Sequence, residues 1–342
     1  MPVKVLVTGA TGFLGGRLVK RLLSDGYEVR ALARVTADVS ALSAMDVEIV
    51  FGDVSDGLAV AGAMKNVEIV VHAAAGTSGT AEDAERSSIL GTENIVEACR
   101  SSQVRKLIYI SSCAVYEVAR CTANEVITEE GQLERFPWRR GAYSAGKLGA
   151  ENVVRAAMKA TATRYSTVVL RPGSLYGPGA SAYSNMMGIS LGYRLFVVFG
   201  SGESEMPLLY VDNAIDAIVA SIASPSADNQ VFNVVDPQGV TKSAYMDRVI
   251  RRMYPEAVIV YLPLVLLLAA VRVQEWLMGV FRKRPVLSVY RVLSSQTPVR
   301  YSTARIQRTI GWTARVAFEE GSERMVRCFK KASARPEARE LS

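Results

Sequence analysis

The 342-residue sequence predicts an α/β fold, a doubly wound parallel sheet with a smaller and discontinuous C-terminal lobe. Short runs of aliphatic and β-branched residues alternate with helical stretches over the first half of the chain, which is the pattern of βαβ units. The runs are almost continuously apolar, as expected of strands covered by helices on both faces. They span residues 3–8, 28–33, 47–51, 67–72, 106–111 and 166–171.

A change of pattern after Arg171 predicts the lobe boundaries. The alternation breaks at the turn-rich stretch Arg-Pro-Gly-Ser-Leu-Tyr-Gly-Pro-Gly-Ala and returns briefly at 208–211 and 231–235. Residues 1–172 and about 209–238 are therefore expected to form the sheet domain, with the second lobe at about 173–208 and 239–330. Residues 331–342 are polar and predict a flexible tail.

Composition excludes several classes of protein. With 49% hydrophobic and 21% charged residues, most of the chain is not disordered. The four cysteines form no CxxC pair and are too few for a disulfide scaffold, which predicts reduced thiols, a cytoplasmic location and no metal site. The N-terminal residues lack the pattern of a secretory signal, so secretion is not expected.

The net charge of +7 is concentrated at the C-terminal end. Residues 281–342 contain 14 Lys and Arg against 5 Asp and Glu. Such an excess attracts nucleic acid, anionic lipid or phosphorylated ligands. No nucleic-acid-binding motif accompanies it, so no nucleic-acid partner is predicted.

Residues 257–271 are uncharged and mostly aliphatic, but Pro263 interrupts them and they fall short of the ~20 residues that span a bilayer. We expect a strand through Tyr261 and a helix over 264–281 that is buried against the core or caps a pocket. The alternative is peripheral membrane contact, in which the helix 264–284 and its basic end, Arg282, Lys283 and Arg284, rest on an anionic surface.

A glycine-rich turn follows the first strand and precedes an amphipathic helix at about 16–24. Gly9, Gly12 and Gly15 stand at GxxGxxG spacing. The first permits the tight turn, the second lets backbone amides approach a pyrophosphate, and the third lets helix and strand pack closely. The pattern predicts a Rossmann domain with a dinucleotide diphosphate at the helix N-terminus.

The end of the second strand bears on the choice of cofactor. NAD-binding units place a carboxylate there, but this chain reads Ala33-Arg34. A guanidinium offers a 2′-phosphate a bidentate partner, so NADP(H) is favoured, with NAD(H) as the alternative. Asp53 closes the third strand, where it would accept from the adenine amine or cap a turn.

Three residues form a predicted catalytic group. Ser112 ends the fifth strand, and Tyr143 and Lys147 share one face of a later helix at i, i+4 spacing. The ammonium would lower the phenolic pKa so that Tyr143 acts as acid or base. Ser112 would hold the substrate oxygen, while Lys147 would also bind the nicotinamide ribose. The pattern predicts hydride transfer between nicotinamide and an alcohol or ketone carbon.

These motifs, with Gly-Asp-Val-Ser-Asp, His-Ala-Ala-Ala and Ser-Ser-Cys-Ala-Val-Tyr, resemble the extended short-chain dehydrogenase/reductase family of the NAD-dependent epimerase/dehydratase superfamily. The resemblance covers nearly the whole chain and also implies a homodimer formed through two helices. It assigns the three glycines to the pyrophosphate, Asp53 to the adenine and the Ser/Tyr/Lys group to catalysis. The other residues that it places at the cofactor are Thr11, Phe13, Leu14, Val54, Ala73, Ala74, Ala75, Pro172 and Gly173.

Departures from the family pattern narrow the reaction. Cys113 and Ala114 replace the Asp-Glu pair of sugar dehydratases, so dehydration is not expected. Cys113 is one residue out of step with the Cys of fucose-forming epimerase-reductases, and the single histidine, His72, lies in an ordinary turn. Cys-His proton transfer is therefore a weak alternative.

Contacts typical of nucleotide-sugar enzymes are depleted. Met206 stands where these enzymes carry a diphosphate-binding arginine, and Ser88 and Ser174 replace asparagines. The predicted substrate is thus an apolar hydroxy or oxo compound, as in members similar to 3β-hydroxysteroid dehydrogenases and dihydroflavonol reductases. Two alternatives remain, a nucleotide-sugar epimerase with tightly bound NAD and a non-catalytic NADP-sensing binding protein.

Overall fold

The computed structural model describes residues 2–75, 81–160, 164–184, 186–281 and 287–334. In chain order its strands are β1 (Lys4–Thr8), β2 (Glu28–Ala33), β3 (Glu48–Phe51), β4 (Ile69–His72), β5 (Lys106–Ile110), β6 (Glu125–Ile127), β7 (Ser166–Pro172), β8 (Ser174–Tyr176), β9 (Gly188–Leu191), β10 (Leu195–Phe199), β11 (Glu205–Met206), β12 (Leu208–Tyr210), β13 (Val231–Val234), β14 (Val240–Thr241), β15 (Val258–Leu262) and β16 (Val299–Tyr301).

The helices are α1 (Phe13–Ser24), α2 (Ser40–Ser43), α3 (Gly57–Ala63), α4 (Ala81–Arg100), α5 (Pro137–Arg140), α6 (Ala142–Lys159), α7 (Val211–Ala223), α8 (Lys242–Tyr245), α9 (Arg251–Met253), α10 (Leu264–Val280), α11 (Val289–Gln296), α12 (Ala304–Ile310) and α13 (Phe318–Ser333). A π-helical turn, Met246–Ile250, joins α8 to α9. Among the helices of the described ranges, none is long and apolar enough to cross a bilayer.

Seven parallel strands form the central sheet in the order β13-β7-β5-β4-β1-β2-β3. The predicted doubly wound α/β fold is confirmed, and each predicted strand lies within a residue or two of its observed bounds. The chain reverses its direction of winding between β1 and β4, where Thr8 pairs with His72. Ligands of open α/β sheets bind beyond the carboxyl ends of the strands at such a point.

Outside the central sheet, small sheets and helices pack beyond its carboxyl edge. Strand β10 lies between β9 and β15, while β12 pairs with β8, β14 with β11, and β16 with β6. These elements come from segments before and after α7 and β13. The last helix continues to Ser333, so the first residues of the expected tail are helical, and 335–342 lie outside the described residues.

Helix α10 corrects one expectation. Its bounds agree with the predicted helix, but the prediction that it is buried against the core is wrong, while the alternative that it caps a pocket stays a prediction. Leu267 and Val271 are its buried side chains, whereas Trp276 is 69% exposed. An almost uniformly apolar helix carries no polar face from which the sequence could indicate its exposure. The basic residues at 282–284 lie outside the described ranges.

Candidate active site

The loop between β1 and α1 packs so closely against neighbouring backbone that two of its positions require glycine. Gly9 has a φ of +71°, and a Cβ there would lie 2.8 Å from the amide nitrogen of Ala74. A Cβ on Gly15 would collide with the carbonyl oxygen of Gly9. Helix α1 begins after Gly12 with no side-chain cap and no acidic residue in its first turn. This N-terminus can therefore hold an anion, as a dinucleotide diphosphate requires.

The other predicted cofactor residues lie along the same sheet edge. Ala73 to Ala75 follow β4, and the Ala74 amide donates to Thr8 Oγ1 over 3.3 Å. Gly173 follows β7 and lies against Pro207, whose carbonyl oxygen leaves no room for a Cβ. Thr11 is exposed, while Leu14 is buried in the core. Arg17, which the sequence motifs did not indicate, places its guanidinium 4.5 Å from the Phe13 ring and donates to the Phe13 carbonyl.

Arg34 and Asp53 follow the ends of β2 and β3. Arg34 is exposed, directly after the buried Ala33. Asp53 Oδ1 accepts from the Ser55 amide at 2.9 Å and from the Ser55 hydroxyl at 2.7 Å. Asp53 thus caps the turn, as the alternative interpretation held, and its role at adenine stays a prediction. Asn94 fixes this turn by donating to the Val54 carbonyl at 2.9 Å.

His72 is buried in a chain of hydroxyl groups between β1 and α4. The Thr92 hydroxyl donates to the Ser88 carbonyl at 2.8 Å, so its oxygen accepts from His72 Nε2–H at 3.0 Å. His72 Nδ1 then accepts from the Thr8 hydroxyl at 2.7 Å. Burial, and secondly the charge of Lys147, lower the His72 pKa to about 3. A neutral ring that holds two strand ends together supports the predicted turn role.

Acid should destabilise the protein through His72. Its folded-state pKa of about 3 lies below the ordinary 6.5. Between these values the unfolded chain binds a proton that the folded chain does not, so the free energy of unfolding falls as pH falls, by about 4 kcal/mol at pH 3. Urea unfolding of the native chain and of His72→Gln at stepped pH measures the difference. Because the sequence has one histidine, its imidazole NMR signals are unambiguous, and titration near pH 6.5 would contradict the account.

Ser112, Tyr143 and Lys147 are brought together at the carboxyl end of β5. Ser112 is extended at φ −162° and accepts from the Ala114 amide at 3.1 Å, which caps the turn Cys113–Val115. Helix α6 begins beside it, with Tyr143 in its first turn and close enough to Ser112 for the serine hydroxyl to lower the Tyr143 pKa. Lys147 is buried one turn further on and donates to the Ile110 carbonyl at 2.8 Å.

Burial changes the acidity of both groups on α6. It lowers the pKa of Lys147 to about 8, against the opposing charge of Glu151. It raises the pKa of Tyr143, and the Ser112 hydroxyl partly offsets this rise. The expected lowering of the Tyr143 pKa by Lys147 is therefore not found in the free protein, because burial outweighs it. The Tyr143 residue as a whole is 59% exposed. At neutral pH the phenol is protonated in the free protein and can donate its proton.

A buried ionic network, which the sequence did not predict, lies beneath these residues. Glu151, one turn after Lys147, accepts from Arg171 Nε at 3.1 Å and from the Ser111 hydroxyl at 2.5 Å. Arg171 Nη1 also donates to the Tyr116 hydroxyl at 2.6 Å. Glu151 and Arg171 are fully buried. In the sequence, Glu151 could have been noticed because it stands four residues after Lys147, and Arg171 because it directly precedes Pro172.

Cys113 cannot serve as the proton carrier of the Cys-His alternative. Its buried thiol donates to the Arg171 carbonyl at 3.2 Å, and burial raises its pKa well above the ordinary value. The thiol therefore stays protonated. Within the described part of the chain, no group of three His, Cys, Asp or Glu side chains could hold a metal ion.

A cleft of about 250 Å³ is lined by residues of 205–207, 235–239 and 299–301, and Ser112, Tyr143 and Lys147 are not among them. Val235 and Val299 line it and pack in one buried cluster with Cys113 and Tyr116. Arg300 is the one cation among the described lining residues, and its Nε and Nη2 donate to the Glu205 carboxylate at 2.8 and 2.7 Å. Met206 is buried. The lining thus combines apolar side chains with the acidic Glu205 and Asp236, and its cation is paired with Glu205.

Sequence comparison agrees with this geometry. The family model of the NAD dependent epimerase/dehydratase family matches residues 5–234, which include the glycine loop and the Ser/Tyr/Lys group. The chain belongs to this family. The match confirms the resemblance to extended short-chain dehydrogenases/reductases and the expectation of an NAD(P)-dependent enzyme.

Family members similar to this chain carry different activities. The 2-alkyl-3-oxoalkanoate reductase of Stenotrophomonas maltophilia (strain K279a) is 26% identical over 334 residues, 94% of this chain and 98% of the relative. The UDP-glucose 4-epimerase of Vibrio cholerae is 30% identical over 253 residues, 70% and 73% of the two chains. The solved structure of MoeE5 in complex with UDP-glucuronic acid and NAD has a TM-score of 0.73 at 20% identity, covering 96% and 99%, and shows the shared fold.

Proposed function

We propose that this family member is an NADP(H)-dependent reductase that transfers a hydride between nicotinamide and the keto or hydroxyl carbon of an apolar substrate. The observation that carries the proposal is the meeting of Ser112, Tyr143 and buried Lys147 at the carboxyl end of β5. The lobe formed by about 173–208 and 239–330 would hold the substrate.

The chain's own residues supply acid and orientation. A bound nicotinamide cofactor would supply the hydride. Ser112 donates to the carbonyl oxygen and aligns it with Tyr143, which gives its phenolic proton to that oxygen as the alcohol forms. Lys147 stabilises the resulting phenolate through its charge until solvent returns the proton. Because its pKa lies above neutral pH, Tyr143 carries the proton that ketone reduction requires.

Three features favour an apolar oxo compound over a sugar nucleotide. Met206 is buried at the position where nucleotide-sugar enzymes of similar sequence carry an arginine. Glu205 pairs with Arg300, so a diphosphate in the cleft would meet a carboxylate and a guanidinium already in use. The reductase similar to this chain along 98% of its length acts, by its name, on 2-alkyl-3-oxoalkanoates.

A comparison of substrates tests the proposal. Purified protein is incubated with NADPH and either long-chain 3-oxo compounds and cyclic ketones or UDP-sugars, and both cofactor oxidation and product are measured. The proposal expects net NADPH oxidation with the apolar ketones. The similarity to UDP-glucose 4-epimerase supports the second candidate, an epimerase. Stoichiometric NAD retained through purification, with UDP-sugar epimerisation and no net redox turnover, would establish that candidate instead.

Arg34 should set the cofactor preference. Removing a bidentate guanidinium contact to the 2′-phosphate and adding a carboxylate is expected to weaken NADPH binding by about 10- to 100-fold in Arg34→Asp, with NADH binding unchanged or tighter. Fluorescence titration with both cofactors measures this. Lys20→Asp, an equal charge change on the exposed side of α1, is the matched control. Unchanged NADPH affinity in Arg34→Asp would revive NAD(H).

We also propose that the homodimer implied by the family resemblance forms through α4 and α6. These helices pack against each other along one side of the sheet, and Leu90 of α4 is 40% exposed. Such a pair from two copies makes a four-helix contact. Light scattering of the native chain and of Leu90→Glu tests it, since the variant should be monomeric.

A further inference from the structure

Helix α10 exposes apolar side chains around most of its circumference. Between Leu264 and Phe281 the charged residues are Arg272 and Glu275, and Glu275 is engaged with the Val289 amide at 3.2 Å. A surface helix of a globular domain normally has polar residues on the face that is exposed to solvent. The exposed apolar side chains of this segment are Val265, Leu266, Val273, Trp276, Leu277, Val280 and Phe281.

The neighbouring three-stranded sheet exposes an apolar face of its own. Val197 pairs with Ile189 on one side and with Val260 on the other, and Leu195 pairs likewise with Leu191 and Val258. Paired residues of adjacent strands point to the same face of a sheet. The side chains between them, such as Phe196 and Val198, are buried in the main core. Four aliphatic side chains on the outer face are exposed, namely Ile189, Leu191, Val258 and Val260.

The two surfaces are continuous. Strand β15 leads into α10 through Pro263, and Val197 packs in one cluster with Leu264 and Leu268. We call the exposed residues of α10, Phe281 and the sheet face the apolar platform. Exposed Arg194 lies at its rim, where its carbonyl accepts from the Val258 amide at 2.8 Å. Patches of this extent on a soluble protein mark an interaction site.

The platform is linked to the candidate active site by one helix. Gln274 of α10 donates to the Leu287 carbonyl just before α11 at 2.8 Å. The Tyr290 hydroxyl of α11 donates to Glu134 at 2.5 Å, and the Arg139 guanidinium lies 5.7 Å from the Tyr290 ring. Helix α5, which contains Arg139, leads directly into the helix that carries Tyr143.

We propose that the apolar platform docks on the surface of an anionic phospholipid bilayer, with α10 lying in the interface. An apolar helix that protrudes with several sides exposed fits a fluid medium better than the flat, self-complementary contact of a second copy. Trp276 and Phe281 are side chains typical of the headgroup boundary. Two exposed cations, Arg272 on α10 and Arg194 at the rim, complement anionic headgroups at the platform itself. The proposal does not depend on the proposed reaction.

Flotation with vesicles tests the docking. Full-length protein is mixed with vesicles of phosphatidylcholine, with or without phosphatidylglycerol, and its floating fraction is measured. The native chain should float with the anionic vesicles. Leu266→Glu/Trp276→Glu should weaken binding by about a hundredfold, because it removes two inserted side chains and adds two charges. Leu58→Glu/Val126→Glu adds the same charge at exposed apolar sites elsewhere and should bind like the native chain.

The outcomes separate docking from its rivals. Equal loss in both double variants would mean that net charge alone governs binding, and would overturn the proposal. It would also fail if no vesicle bound the native chain, or if light scattering showed a lipid-independent oligomer that Leu266→Glu/Trp276→Glu dissociates. Circular dichroism and NADPH titration of each variant establish that it is folded, and unaltered reduction of a short water-soluble ketone would keep this result separate from the proposed function.

Discussion

Replacing Tyr143 with Phe should lower kcat for ketone reduction by about 10³-fold, because the substrate oxygen loses its proton donor in the transition state. The Kd for NADPH should change little, since the ring and the contacts of Lys147 remain. Steady-state kinetics of the purified variant and a separate cofactor titration measure the two effects. Tyr27→Phe, a tyrosine between α1 and β2, is the matched control.

At this site kcat and the affinity for NADPH should respond separately to substitution. Ser112→Ala should also lower kcat, by less, since the Tyr143 hydroxyl loses one hydrogen-bond partner but keeps its proton. If Tyr143→Phe retained native kcat, another group would be the proton donor and the assignment from α6 would be wrong. If it lost cofactor binding as well, Tyr143 would be a structural residue of the cofactor site.

Breaking the Glu151–Arg171 pair should destabilise the fold by about 3–5 kcal/mol, because either single replacement leaves an uncompensated buried charge. Both side chains are fully buried, and Arg171 Nε lies 3.1 Å from the Glu151 carboxylate. Chemical unfolding of Glu151→Met and Arg171→Met measures the loss. The double variant should be less destabilised than the sum of the two, since it leaves neither charge unpaired.

Additive losses in that cycle would contradict the coupling. The matched control is Arg21→Met, because Arg21 forms a partly exposed pair with Asp216. Exposed pairs contribute about 0–1 kcal/mol, so this variant should unfold nearly like the native chain. The difference in the free energy of unfolding lost at the two pairs measures the effect of burial, because both pairs are ionic.

Local periodicity was sufficient to predict the central sheet. Strands β1, β2, β4, β5 and β7 are fully enclosed by helices, so their continuous apolar runs stand out in the sequence. The Ser112, Tyr143 and Lys147 group was also predictable, because a strand end and an i, i+4 pair on one helix are local features. Their meeting follows from the winding of parallel strands, which places functional residues at one edge.

Three features lay beyond the reach of sequence reasoning. Glu151 and Arg171 stand twenty positions apart on a helix and a strand, and nothing local shows that they pair. The exposure of α10 was predicted wrongly, because an apolar segment such as 264–280 looks the same whether protein or solvent surrounds it. The exposure of the outer face of β9, β10 and β15 likewise could not be predicted, because it depends on whether another element of the described chain packs there, and only the tertiary structure shows this.

The central claim is that hydride passes between nicotinamide and an apolar oxo carbon with net redox change. Incubation with NADPH deuterated at both C4 positions and a long-chain 3-oxo compound, followed by mass spectrometry of the alcohol, tests it most directly. The account predicts one deuterium at the new carbinol carbon and one oxidised cofactor per product, lost together in Tyr143→Phe. No net oxidation of the cofactor, together with no deuterium in any alcohol, would contradict the claim.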